Sequence, residues 1–323
     1  MAIFRHGIRS LLPEHIALVS GPGCPVCVTS VGEIARCVKL AATPGVIVTT
    51  FGDMLRVPGS GDSLQRQAGR GADVRMVYAS LDALRIASEN PGKKVVFLGI
   101  GFETTAPTVA AAVKAARDRG ISNFSVLSAH KLLPPAMEAL ASSGDLGIDG
   151  FLCPGHVSTI IGTSSYADVA SRFGVPCVVA GFEPVDILQS VLMLVRQIET
   201  NAARAEIQYT RAVAPEGNPA ALKLIDEVFE PCDSDWRGLG PIPRSGLAFR
   251  DAFAAFDARA HFDLAIPPAR EPAGCRCADV LKGTVRPPEC PLFRSACTPR
   301  TPVGACMVSS EGTCAAYYKY HAD

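Results

Sequence analysis

Short β-branched apolar runs punctuate the first two thirds of the chain, at 16–20, 46–50, 74–79, 94–99, 124–128, 150–153 and 177–180. Each ends in Gly, Pro or a polar turn. Between many of them, apolar residues recur every three to four positions, at 31–42, 81–88, 107–119, 135–143 and 165–173. The runs predict strands and the periodic stretches predict helices; their alternation predicts an α/β protein built on parallel sheets. Most of the strands are continuously apolar rather than alternating, as in sheets covered on both faces.

The pattern then changes. Val185, Leu188, Leu192 and Val195, with Ile187, Val191, Leu194 and Ile198, predict one long, well-buried helix opened by Pro184. From about Ala214 the chain fills with Pro, Gly and acidic clusters such as Pro231-Cys232-Asp233-Ser234-Asp235-Trp236. Gly101-Phe102-Glu103 follows one predicted strand and Gly181-Phe182-Glu183 another, and Gly-Pro-Gly-Cys-Pro-Val resembles Cys-Pro-Gly-His-Val-Ser. These echoes predict two similar α/β domains, 1–118 and 119–213, whose strand-end loops converge on a cleft. A third region, 214–323, holds a cysteine-rich tail.

Composition narrows the function. Across 323 residues, 31 basic and 31 acidic side chains balance, which gives no footprint for nucleic acid or an anionic membrane. No apolar run is long enough to span a bilayer, and the first residues lack a secretory leader pattern, so a cytoplasmic protein is expected. There, twelve cysteines argue for metal or redox chemistry rather than a disulfide framework. Cys37, Cys177 and Cys232 lack a close Cys or His partner in sequence and read as small buried apolar residues.

Two cysteine groups remain. Gly21-Pro22-Gly23-Cys24-Pro25-Val26-Cys27 lies between a predicted strand and a helix. Its two thiols can close a disulfide or chelate iron, or make half of a zinc site. In the tail, Cys275, Cys290, Cys297 and Cys314 follow the spacing Cys-x14-Cys-x6-Cys-x16-Cys, with Cys277 and Cys306 as competing candidates. A segment so poor in apolar residues needs a staple, and four thiolates suit a [4Fe–4S] cluster or zinc. Zinc-ribbon Cys-x2-Cys knuckles are missing from the tail, which favours iron–sulfur.

Other strand ends carry polar chemistry. In Gly101-Phe102-Glu103-Thr104-Thr105-Ala106-Pro107, Thr104 or Thr105 can cap a helix, its amides can receive an anion, and Glu103 can move protons. Equally, this is a capped turn with a surface carboxylate. His156, in Cys153-Pro154-Gly155-His156-Val157-Ser158, can act as acid, base or ligand, or be purely structural. His130 and Lys131 are candidate cleft-lining groups.

Together these motifs resemble the HypD family of [NiFe]-hydrogenase maturation factors. The resemblance rests on 21–27, 101–107, 154–158 with Gly162, 176–184 and the Gly304–Gly312 block, in order along the whole chain. It implies two related α/β domains and a cluster-bearing third. It also implies a scaffold, not a conventional turnover enzyme, on which iron receives two cyanides and one carbon monoxide to give Fe(CN)2CO. HypC would supply an iron ligand and HypE would deliver cyanide as a protein thiocyanate, with the chain a monomer in a transient complex. The resemblance places the cluster on Cys275, Cys290, Cys297 and Cys314 and the redox pair on Cys24 and Cys27. It lines the cleft with Glu103, Thr104, Thr105 and His156. The alternative reading is a stand-alone thiol–disulfide oxidoreductase; a zinc-binding structural module is a third. Family members carry Cys-Gly-Gly-His-Thr-His before Ala-Ile-Phe-Arg, whereas this sequence starts at Met1-Ala2-Ile3-Phe4-Arg5, and a start assigned too late is the expectation. Ser30 stands where the family usually has Pro, a change expected only to loosen the turn.

Overall fold

The structure is a computed structural model and describes residues 1–59, 61–143 and 147–320. Four strands, β1 (Val46–Thr50), β2 (Asp73–Met76), β3 (Lys94–Gly99) and β4 (Phe124–Ser128), form a parallel sheet in the order β2-β1-β3-β4. Successive side chains point to opposite faces. Ile47, Val95, Phe97, Phe124 and Val126 therefore share one core with the helices Ser80–Glu89 and Ala106–Asp118. Val46, Val48, Val96, Leu98 and Leu127 share another with the helix Val31–Ala41. Both faces are covered, which is why these strands read as unbroken apolar runs. Each large apolar side chain buried this way contributes roughly 1.5–3 kcal/mol.

A second parallel sheet orders β5 (Phe151–Pro154), β6 (Cys177–Ala180) and β7 (Ala205–Ile207) as β5-β6-β7. The α/β class with parallel sheets is thus as the apolar pattern predicts. Several details differ. The run at 16–20 forms no strand; it is a loop in which Val19 is exposed and Leu18 O accepts from Arg9 Nη2 at 2.8 Å. The strand at 124–128 pairs with β3, so the first sheet extends beyond position 118.

The helix Pro184–Glu199 buries Ile187, Val191 and Leu194 but leaves Val185 72% and Leu192 48% exposed. Its apolar residues surround the helix rather than forming the one stripe a covered surface helix needs. It is less buried than its sequence suggests.

Past 214 the chain returns to the first sheet. The helix Pro219–Val228 lies on Ala106–Asp118. An antiparallel hairpin follows, β8 (Phe229–Trp236) and β9 (Gly240–Phe249). Phe229, Leu247 and Phe249 join the core under that sheet. The hairpin is hard to foresee because β9 contains Pro241 and Pro243, residues that usually argue against a strand. Its tip bridges Trp236 to Thr29, just beyond the thiol loop. Among the described residues, the tail from Cys275 onward forms short helical turns and the helix Thr313–Tyr320. Among the described residues no helix is long and apolar enough to cross a membrane.

Candidate functional site

Cys24 precedes the short helix Pro25–Val28, whose first position Pro25 fills with a ring already set to helical φ. Cys24 Sγ accepts from Cys27 N at 3.3 Å. The two sulfurs meet as a disulfide, with Cα atoms 5.2 Å apart. Cys24 is 5% exposed and Cys27 fully buried. Cys27 Sγ lies 3.9 Å from Ala305 O. Ala305 opens the turn Ala305–Met307, which carries Cys306. The terminal Gly304–Gly312 block is therefore pressed between the thiol pair and the tail cysteines.

Those cysteines gather. Cys275, Cys277, Cys290, Cys297, Cys306 and Cys314 line one pocket of about 320 Å³, counting the part open to solvent, walled by Val280, Leu292, Phe293 and Met307. Cys277 Sγ and Cys306 Sγ are 2.6 Å apart, and Val303 N donates to Cys297 Sγ at 3.4 Å. Gly304 is needed for room, since a Cβ there would come within 2.7 Å of Cys275 Sγ. Hydrogen bonds with the side chains of Cys275 and Cys306 pull the Cys277 thiol well below its ordinary value, and the charge of Arg237 adds to this. The same bond to Cys277 pushes Cys275 and Cys306 up. Among the described residues, no three His, Cys, Asp or Glu side chains converge as a ready-made site for one ion.

Glu103 is 3% exposed, not a surface carboxylate. Its Oε1 accepts from Leu133 N at 2.8 Å, while Oε2 has no partner. Burial raises its pKa to about 7. Thr105 stands at the cap position of Ala106–Asp118, yet its side chain makes no cap bond; its Oγ1 donates to Phe102 O at 3.2 Å. Thr104 is half-buried beside it. Phe102 stacks on Trp236 at 6.1 Å and belongs to the same apolar cluster as Cys24 and Cys27. Glu103 is thus joined through its neighbour to the thiol-loop core.

His156 lies apart, exposed at the start of the helix Gly155–Ile161, with its ring 4.0 Å from that of Phe182. The two Gly-Phe-Glu motifs both follow strands but differ: Glu183 is 75% exposed and pairs with Arg211 at 3.7 Å. His130 and Lys131 are each 1% exposed and line no open surface. Lys131 Nζ is held by Ser234 Oγ and Asp235 O at 2.5 and 2.9 Å, and burial lowers its pKa to about 8.

Two cysteine expectations change. Cys37 and Cys177 are buried, but Cys232 is only half so. Cys177 is not solitary: Cys153 on the adjacent strand is its neighbour, and burial first and the nearby Cys177 thiol second push the Cys153 thiol up. A strand-parity comparison of 153 with 177 could have suggested the pairing. Cys277 and Cys306, the competing candidates, line the pocket together with the four cysteines that the resemblance assigns to a cluster. Ser30 caps Val31–Ala41, with Oγ accepting from Glu33 N at 3.3 Å, so it does more than loosen the turn.

The model of the HypD family, described as "Hydrogenase formation hypA family", matches residues 1–321. The chain belongs to the HypD family. It is 49% identical to the hydrogenase maturation factor HypD of Azotobacter vinelandii, over 99% of this chain and 86% of that protein. The HypD of Escherichia coli K12 is also 49% identical, with the same coverage. HypD2 of Bradyrhizobium diazoefficiens is 47% identical, again over 99% and 86%. The thiol loop, the buried Glu103 and the cysteine pocket are therefore features of a HypD-family chain, and the family's role is hydrogenase maturation.

Proposed function

We propose that this chain is a scaffold for assembling the Fe(CN)2CO unit of [NiFe]-hydrogenase, docking a HypC-type protein and accepting cyanide from a HypE-type thiocyanate. The carrying observation is the junction at Ala305, where the Cys24–Cys27 pair and the cysteine pocket share one short segment. Releasing cyanide from a protein thiocyanate takes two electrons. A dithiol supplies both: R–SCN and the Cys24/Cys27 dithiol give R–SH, hydrogen cyanide and the Cys24–Cys27 disulfide. Two protons leave the dithiol; one stays on the leaving thiol and one goes with cyanide.

Six thiols around an apolar-walled pocket suit a [4Fe–4S] cluster, with Cys275, Cys290, Cys297 and Cys314 as its holders and Cys277 and Cys306 as alternates. Bound there, a cluster would supply the single electrons that restore the dithiol. Glu103, neutral or ionised near pH 7, can hold the proton that accompanies cyanide. Thr104 and Thr105 shape its turn. His156, exposed beside Phe182, would serve as a contact for a partner or the iron cargo. The contact of Cys27 with Ala305, next to Cys306, favours a pair coupled to the cysteine pocket over a stand-alone oxidoreductase.

The test is an infrared spectrum of the chain purified anaerobically with its HypC-type partner. Cyanide and carbonyl bands on iron are expected. A window without bands, from protein whose tail cysteines hold iron, would remove the scaffold reading.

A further inference from the structure

The tip of the β8–β9 hairpin is wedged between the two sulfur centres. Arg237 N donates to Val28 O at 2.8 Å and its Nε to Thr29 O at 3.1 Å, so one residue holds the carbonyls that end the thiol-loop helix. On the other side, Gly238, at φ +83°, lies so close to the helix Cys277–Leu281 that a Cβ would fall 2.8 Å from Ala278 Cα. The Arg237 side chain is 1% exposed. Glu271, 37% exposed, places Oε1 3.6 Å from its Nε, and Arg237 Nη2 has no hydrogen-bond partner. A buried guanidinium left partly unpaired is costly, and its field is poorly screened. Nothing in the sequence around Arg237 marks it out.

We propose that Arg237 is a positioning residue that sets the redox balance of the Cys24–Cys27 pair and fixes that pair against the cysteine pocket. This rests on the reading of the pair as a redox dithiol. Reducing the disulfide with two glutathione thiols yields the dithiol and glutathione disulfide, and the dithiol carries thiolate character that the disulfide lacks. With its guanidinium bonded to Thr29 O, two residues past Cys27, the buried cation would favour the reduced form, whose thiols can carry negative charge. The half-exposed Glu271 tempers the effect.

The test uses the full chain, anaerobic, equilibrated in glutathione buffers of graded ratio, then acid-quenched and alkylated. Mass spectrometry reads the fraction of Cys24–Cys27 disulfide. Arg237→Gln is expected to shift the equilibrium about tenfold toward disulfide, roughly 30 mV for a two-electron couple. Arg237→Lys, which keeps the charge but loses the planar fork, is expected to restore most of that shift. If Arg237→Gln fails to fold by circular dichroism, Glu271→Gln decides. Removing that surface-reaching carboxylate should move the equilibrium about threefold the other way, toward dithiol. Folded variants that titrate like the parent overturn the proposal, as does a Cys24–Cys27 pair that never interconverts with glutathione. The readout needs no partner and no cyanide donor. A normal Arg237 effect beside a blank infrared spectrum would therefore sink the scaffold reading and leave this one standing.

Discussion

The first parallel sheet and the cysteine tail are held by different means. In the sheet, Ile47, Val48, Val95, Val96, Phe97 and Leu98 are fully buried between two helical layers. In the tail, the buried set mixes sulfur with apolar carbon: Cys277, Cys297, Cys306 and Cys314 lie among Val280, Leu281, Ala305, Met307, Val308, Ala316 and Tyr317, most of them in the core cluster that also holds the thiol loop. The proposed cluster would add its own share of order to that packing, as metals do in small domains. Stability should therefore divide between the two regions.

The sharpest way to break this contrast is to damage each side separately. Phe97→Ala should cost the sheet about 3–5 kcal/mol in denaturant unfolding while leaving iron per folded chain unchanged. Loss of iron in that variant would mean that the regions are not independent. Cys290→Ala should do the reverse, bleaching visible absorption and exposing the tail to protease with little change in the sheet's unfolding midpoint. An unchanged spectrum would take Cys290 out of the ligand set.

A smaller effect concerns protons. A carboxyl whose folded pKa of about 7 exceeds the ordinary 4.5 binds an extra proton in the folded state between those values. Its burial costs little below that window and most above it. Parent stability relative to Glu103→Gln should thus fall as pH rises from 4.5 to about 7, then level off. A flat difference would show that Glu103 is not a buried acid. Smallest is Ser30→Ala, expected to cost about 1 kcal/mol by removing the cap of Val31–Ala41.

What the sequence made legible follows the same division. Strands of the covered sheet were readable because their side chains are apolar on both faces, and β1, β3 and β4 fall where the apolar runs lie. The Pro-bearing hairpin was not readable, since long-range packing of Phe229, Leu247 and Phe249 against the first sheet's core overrides its local signals. Of the site, the thiol loop and the pocket cysteines announced themselves by residue type. Spacing could not tell Cys275 from Cys277, because all six cysteines that line the pocket look alike along a chain. Arg237 was invisible, as its importance comes only from where the hairpin tip lands. His156 was visible, but its exposure on Phe182 was not.

The most direct measurement is iron and acid-labile sulfide content of the anaerobically purified chain, with Mössbauer spectra of the same sample. About four irons and four sulfides per chain in a cubane signature are expected. Zinc in their place, or an ordered and protease-resistant tail with no bound metal, would contradict a tail held together by its cluster.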